Sequence, residues 1–240
     1  RQTMQCIKES IIMNVCVIPA RGGSKRIPRK NIKDFLGKPI IAYSIEAAIE
    51  SGLFDRIIVS TDDVDIAKAA EEWGAEVPFI RPKELSDDFT GTNDVVKHAI
   101  SFLLGQGVKI DYACCIYATA PFLKVQYLEE GFNRIQKDDK LFAFSVTTFA
   151  FPIQRAIKLK GGKISMFYPQ YSTTRSQDLE EAYHDAGQFY WVKCGAFLNK
   201  KKMFSSHSIP IVLPRSLVQD IDTLEDWNRA ELKYKILEEE

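Results

Sequence analysis

A short apolar run, Asn14-Val15-Cys16-Val17-Ile18-Pro19, passes directly into a glycine-containing basic loop that extends from Ala20 to Asn31. A continuous apolar run that stops at a loop is the pattern of a parallel strand buried on both faces. In open α/β sheets, the loop leaving the C-terminal end of such a strand is where ligands are held. Between Arg21 and Lys38 the chain places seven Lys or Arg against one acid, Asp34. Gly22 and Gly23 carry no Cβ and let backbone N–H groups approach a ligand, while Lys25, Arg26, Arg29 and Lys30 can donate charge-assisted bonds to phosphate oxygens. On charge alone, a solvated turn explains the run as well as an anion site does. The commoner phosphate motifs, G-x-x-x-x-G-K-[ST] and G-x-G-x-x-G, are not written here.

The remainder of the chain narrows the class. Its 240 residues, 45% apolar and 27% charged, suit one sizeable α/β domain with an excursion. Lys plus Arg and Asp plus Glu balance at 32 each, which leaves no global field for a nucleic-acid polymer or an anionic membrane. A small anionic ligand remains compatible. The five cysteines include no C-x-x-C pair and their number is odd, which fits a reducing cytoplasm. No apolar stretch reaches membrane-spanning length. Residues 1–12 lack a signal-peptide cleavage pattern and are expected to form an extension outside a single domain of residues 13–240.

Strand and helix signals alternate through the first two-thirds. Residues 39–51 read as a helix, Arg56 to Ser60 as a strand, 64–73 as a helix, and Val77 to Ile80 as a third short strand that delivers Arg81-Pro82. The proline holds Arg81 extended, so its guanidinium can reach the face carrying the basic loop; a surface arginine in a turn is the plainer reading. A helix is expected from Asp94 to Leu104, with His98 packed within it, and the apolar run Asp111 to Tyr117 reads as a central strand. That strand ends in Ala118-Thr119-Ala120-Pro121-Phe122, on the same ligand face. A helix at 126–136 and a strand at 141–147 complete the alternation, which predicts a three-layer, mostly parallel, Rossmann-like αβα fold.

From Phe149 the pattern changes. Residues 156–167 read as a β-hairpin around Gly161-Gly162, followed by an irregular aromatic-rich stretch and a strand at 189–192. A single hairpin cannot bury these aromatics, so the 149–192 segment is expected to pack on a second copy of the chain; a self-contained lid is the alternative. Residues 209–213 return to the sheet. After them, Asp220 and Asp222 share one side of an extended segment, a placement that suits a hard divalent cation. From spacing alone, Asp222, by itself or together with Thr223, acting as cap of the helix that begins at Leu224 is the stronger reading.

The loop text Ile18-Pro19-Ala20-Arg21-Gly22-Gly23-Ser24-Lys25-Arg26-Ile27-Pro28-Arg29-Lys30-Asn31 resembles the signature of the sugar-activating cytidylyltransferases, the CMP-sialic acid synthetases and their relatives. The likeness continues from about Val15 to the C-terminal helix. Within the family it is greatest to the branch that activates pseudaminic acid, a nine-carbon acid sugar, on the strength of Tyr117 to Phe122 and Arg175 to Trp191. The resemblance implies a Mg²⁺-dependent nucleotidyltransferase that joins CTP to a nine-carbon 2-keto sugar acid and releases pyrophosphate, working as a homodimer. It further implies that Ala20, Arg21, Gly22, Gly23, Ser24, Lys25, Lys30 and Asn31 hold the nucleotide, with Arg81 beside the cytidine. By the same resemblance, Asp220 and Asp222 bind the metal and act in catalysis with Arg21 and Lys25. Tyr117, Thr119, Arg175, Gln177 and Tyr190 would face the sugar. The Gln-Pro-Thr-Ser-Pro typical of sialic acid enzymes is Tyr117-Ala118-Thr119-Ala120-Pro121 here, which points away from N-acetylneuraminic acid. The rival expectations are the same chemistry on N-acetylneuraminic, legionaminic or 3-deoxy-manno-octulosonic acid, or a non-catalytic nucleotide-binding protein of this fold.

Overall fold

The computed structural model describes residues 12–239, and the extension expected at 1–12 lies outside them except for Ile12, which opens the first strand. In chain order the elements are β1 (Ile12–Pro19), β2 (Asp34–Phe35), β3 (Lys38–Pro39), α1 (Ile40–Glu50), β4 (Arg56–Ser60), α2 (Val64–Glu72), α3 (Thr92–Gly105) and β5 (Lys109–Ile116). There follow α4 (Val125–Lys137), β6 (Phe142–Thr148), β7 (Ile157–Lys160), β8 (Lys163–Met166), β9 (Tyr183–Lys193), α5 (Cys194–Leu198), β10 (Ser208–Val212) and α6 (Leu224–Glu238).

Six strands form one sheet in the order β10-β6-β9-β5-β1-β4. β1 pairs parallel with β4 and β5, and β10 pairs parallel with β6. Strand β5 is central, as its apolar text requires. Side chains alternate across the sheet. Cys16 and Ile18 face a core layer built with α1, α2 and α4, whereas Val15 and Val17 face a second layer built with α3. These two layers on one sheet are the three-layer fold. A third apolar cluster joins Ile27 of the basic loop to Phe35, Tyr43, Ile221 and Trp227, and so ties that loop to the start of α6.

Two expectations change. Val77 to Ile80 is not a strand: only isolated bridges link Glu76 to Ile58 and Ile80 to Thr61. Pro78 lies between them and has no N–H to donate, so the ladder cannot run through. The strand expected at 189–192 is the eleven-residue β9, antiparallel to both β5 and β6 and inserted between them. Its N-terminal half carries Tyr183, His184 and Asp185, whose polar text conceals a strand that is half outside the core. The 149–192 segment therefore divides. Its first part holds the exposed β7–β8 hairpin, and its last part is a middle strand of the main sheet.

Candidate active site

The C-terminal ends of β1 and β5 open onto a cleft of about 540 Å³. Arg21, Ser24, Lys25, Arg26, Lys30 and Asn31 line it, with Arg81, Thr119 and Tyr117 from later loops and Asp222 from the segment before α6. The loop's shape has local causes. Ala20 is pinned by its N–H to the Ser60 carbonyl at 2.9 Å, and the Asn31 amide donates to the Arg21 carbonyl at 2.9 Å. Gly22 donates its N–H to Asp62 Oδ1 at 3.0 Å. A Cβ at Gly22 would stand 2.6 Å from Asp63 Oδ2, so a glycine is needed there, whereas a Cβ at Gly23 would meet nothing within 4 Å. Gly23 faces open solvent, and neither glycine lines the cleft. Arg29 takes the left-handed conformation (φ 56°) and is held there by ion pairs to Asp63 and Asp65.

The charges of the cleft are balanced internally. Arg21 Nη1 meets Asp88 Oδ1 at 2.7 Å, and Lys25 pairs with the same carboxylate. These two cations hold the Asp88 carboxyl below the usual carboxylate range. Arg81 is the most buried cation, with its side chain 2% exposed. It lies 3.6 Å from Asp62 and donates from Nε to Ser86 Oγ at 3.1 Å. Burial, with the like charge of Arg21 adding to it, lowers the Arg81 pKa against the opposing effect of Asp62. An arginine so placed stays charged and is short of anions.

The cap question at Asp222 is settled by geometry. Thr223, not Asp222, caps α6: its hydroxyl accepts from the Asp226 N–H at 3.2 Å, and Asp226 returns the contact to the Thr223 N–H at 2.9 Å. Asp222 is left to pair with Arg26 at 3.0 Å and Lys30 at 3.6 Å. Lys30 also donates to the Ile221 carbonyl at 2.7 Å, while Lys233 donates to the Arg215 and Val218 carbonyls, so the segment bearing both carboxylates is clamped to the basic loop and to α6. Ile221 is buried between them, as period-two alternation requires.

Asp222 lines the basic cleft, whereas Asp220 lines an adjoining cleft with Tyr117, Asp185 and Tyr190. Desolvation and the neighbouring Asp222 raise the Asp220 pKa, with Lys30 opposing. Paired oxygen donors, one of them destabilised in its charged form, suit a divalent cation. Among the described residues no group of three or more His, Cys, Asp or Glu forms a complete ligand set. An ion held here would keep water or substrate oxygens in its remaining positions.

Tyr117 borders a third cleft as well, of about 770 Å³, that Asp185 and Tyr190 also line. The Tyr117 and Tyr190 rings lie 5.3 Å apart, and burial raises both phenol pKa values. Thus Tyr117, Thr119 and Asp222 line the cleft of the basic loop, while Tyr190 and Asp220 line clefts that share Tyr117 with it. Arg175 and Gln177 do not: both are exposed, Arg175 pairs with Asp178 at 2.8 Å, and neither lines these clefts. His98 packs its ring on Phe79 and lines none of the three clefts. Sequence reasoning passed over Asp88 and Asp185. Both sit in polar loop-like text, and only their three-dimensional neighbours single them out.

This fold and this cation-lined cleft define a nucleotidyltransferase, and the chain belongs to the cytidylyltransferase family, whose model matches residues 15–211. It is 48% identical to the pseudaminic acid cytidylyltransferase of Campylobacter jejuni serotype O:2 over 93% of this chain and 97% of that protein. It is 32% identical to the CMP-N,N'-diacetyllegionaminic acid synthase of Legionella pneumophila over 94% of this chain and 97% of that one. Among solved structures, a CMP:2-keto-3-deoxy-manno-octonic acid synthetase complexed with CTP superposes with a TM-score of 0.67 at 16% identity, covering 95% of this chain and 99% of that one. That superposition bears on the fold.

Proposed function

We propose that this chain transfers CMP from CTP to a nine-carbon 2-keto sugar acid, pseudaminic acid, and releases pyrophosphate. One observation carries the reaction class. Two carboxylates stand at the junction of two clefts, Asp222 in the cation-rich one and Asp220 in the one behind Tyr117. A phosphate donor and a hydroxyl acceptor bound on either side of that junction would meet there. The choice of sugar rests on full-length relatives at 48–49% identity and on the phenol of Tyr117 at the position where a glutamine amide is typical of sialic acid enzymes.

In this reading, the CTP triphosphate lies along the loop from Ala20 to Asn31. Arg21 and Lys25 leave Asp88 for phosphate oxygens and neutralise the charge that gathers on the departing pyrophosphate. The Ser24 side chain takes up further oxygens. Arg81 supplies a fixed cation beside the nucleoside, and Lys30 with Asn31 holds the loop against the carboxylate segment. The sugar acid lies against Tyr117, Thr119 and Tyr190, with its anomeric hydroxyl toward the α-phosphorus. Positioning and charge neutralisation account for the rate, and no covalent intermediate is required. Asp220 and Asp222 would hold Mg²⁺, which when bound supplies Lewis-acid charge at the α-phosphate oxygens.

The homodimer belongs to the same reading. Phe151, Leu159, Ile164 and Phe167 are exposed on the 149–182 excursion, which suits cover by a second copy. Arg175 lines none of the three clefts described above, so a role toward the sugar acid would be played in the second copy's site.

The test is pyrophosphate release from CTP and Mg²⁺ with pseudaminic, N-acetylneuraminic or 3-deoxy-manno-octulosonic acid supplied separately. Release is expected with pseudaminic acid. Release with N-acetylneuraminic acid alone would remove the pseudaminate assignment, and CTP binding without release on any sugar would favour a non-catalytic nucleotide-binding protein.

A further inference from the structure

The wall shared by the two clefts behind Tyr117 contains a carboxylate to which none of the assignments above gives a role. Asp185 lines both clefts, together with Tyr117 and Tyr190. Its Oδ1 accepts the Gly187 N–H at 2.8 Å, and the Tyr190 hydroxyl lies 2.7 Å from Oδ1 and 2.9 Å from Oδ2. Among the described residues Asp185 enters no ion pair and is held by these neutral donors alone. Tyr190 has a single proton to share between the two oxygens, so Oδ2 retains acceptor capacity toward the cleft. The backbone fixes its aim. Asp185 is in register with Val146 on β6, and Gly187 takes a φ of 65° that brings the chain against the Tyr117 ring.

We propose that Asp185 is a specificity-determining residue for the sugar acid: its Oδ2 accepts a hydrogen bond from a hydroxyl or amide N–H on the body of the substrate, and its charge turns the substrate's own carboxylate away from that end of the cleft. The inference rests on the sugar-acid reading above. A carboxylate facing the binding site of an anionic substrate is unfavourable unless a donor meets it, so it selects one orientation by attraction at one end and repulsion at the other. Asp220 also lines one of these clefts, and in the reading above it marks the end where the reacting hydroxyl must lie. Asp185 and the carboxylate pair would then bracket the sugar ring.

Asparagine separates this role from a merely structural one. In Asp185→Asn, the amide oxygen still accepts from Gly187 and Tyr190, but the NH₂ that replaces Oδ2 cannot accept a bond from the sugar. Steady-state pyrophosphate release with pseudaminic acid, CTP and Mg²⁺ is expected to show KM for the sugar acid raised about 10- to 100-fold in both Asp185→Asn and Asp185→Ala. KM for CTP should stay within about twofold, because Asp185 does not line the nucleotide cleft. Restoration of the wild-type sugar KM by asparagine, with alanine impaired, would show that Asp185 only supports β9 and would overturn the assignment. A wild-type enzyme that turns over no sugar acid would overturn the reading beneath it, whereas an active wild type with an unaffected asparagine variant would overturn the Asp185 role alone.

Discussion

At the scale of single residues, the proposed site would work by exchanging partners. Arg21 and Lys25 are tied to Asp88, Arg26 and Lys30 to Asp222, and Arg81 lies beside Asp62. These contacts hold the cations in place before an anion arrives, and the exposed ones among them are weak enough to yield to a triphosphate. In the proposed reaction Asp222 would take a second role, as a metal ligand, once nucleotide is present. Asp222→Ala is expected to lower kcat by about 100-fold or more while KM for CTP changes little, since the interaction lost is one made in the transition state. Near-normal turnover of that variant in Mg²⁺, measured by pyrophosphate release, would remove Asp222 from the metal site. Gly22 provides a second residue-scale test. Gly22→Ala would drive a Cβ into Asp63, the cap of α2, and is expected to lower both thermal stability and CTP affinity, read by melting and by calorimetric titration.

At the scale of elements, α6 positions the carboxylate segment through its first turn. The capping box between Thr223 and Asp226 satisfies backbone donors that Asp222 would otherwise serve, leaving that side chain free to face the cleft. Thr223→Ala is expected to cost about 1 kcal/mol of stability, measured by urea unfolding, with the loss concentrated in α6 by hydrogen exchange. Helix α4 meets the sheet at Gly131, where a Cβ would lie 2.9 Å from Trp191 and 3.1 Å from Phe189. Both rings are fully buried, so neither can give way, and Gly131→Ala is expected to destabilise by about 1–3 kcal/mol with the clefts unaltered. Equal unfolding midpoints for this variant and the wild type would show that the helix shifts to accommodate the methyl group.

At the scale of the whole molecule, the excursion before β9 leaves large apolar side chains exposed. Its hairpin residues Leu159 and Ile164 are 73% and 69% exposed, on strands that among the described residues pair only with each other. A two-stranded hairpin with apolar side chains in water is marginal until something covers it. Sedimentation equilibrium is expected to give twice the 27.3 kDa chain mass, and Leu159→Glu with Ile164→Glu to return the single-chain mass. A monomer in the wild type would assign the hairpin to a lid. No helix among the described residues is long and apolar enough to cross a membrane.

Much of this molecule was legible without coordinates, because its signals are local. The apolar run before the basic loop, the strand–helix alternation and the central place of β5 depend on neighbours within a few positions, where backbone geometry dictates side-chain direction. What tertiary structure alone decided is non-local. It inserted β9 antiparallel into the sheet, though half of its text is polar, and broke the expected strand at Pro78. Through Asp226 it gave the α6 cap to Thr223 rather than Asp222. It also set Asp88 on the basic loop and Asp185 behind Tyr117, which are pairings between residues far apart in the chain. The charge of an aspartate is written in the sequence, but what that charge meets depends on loop ends that only the folded sheet brings together.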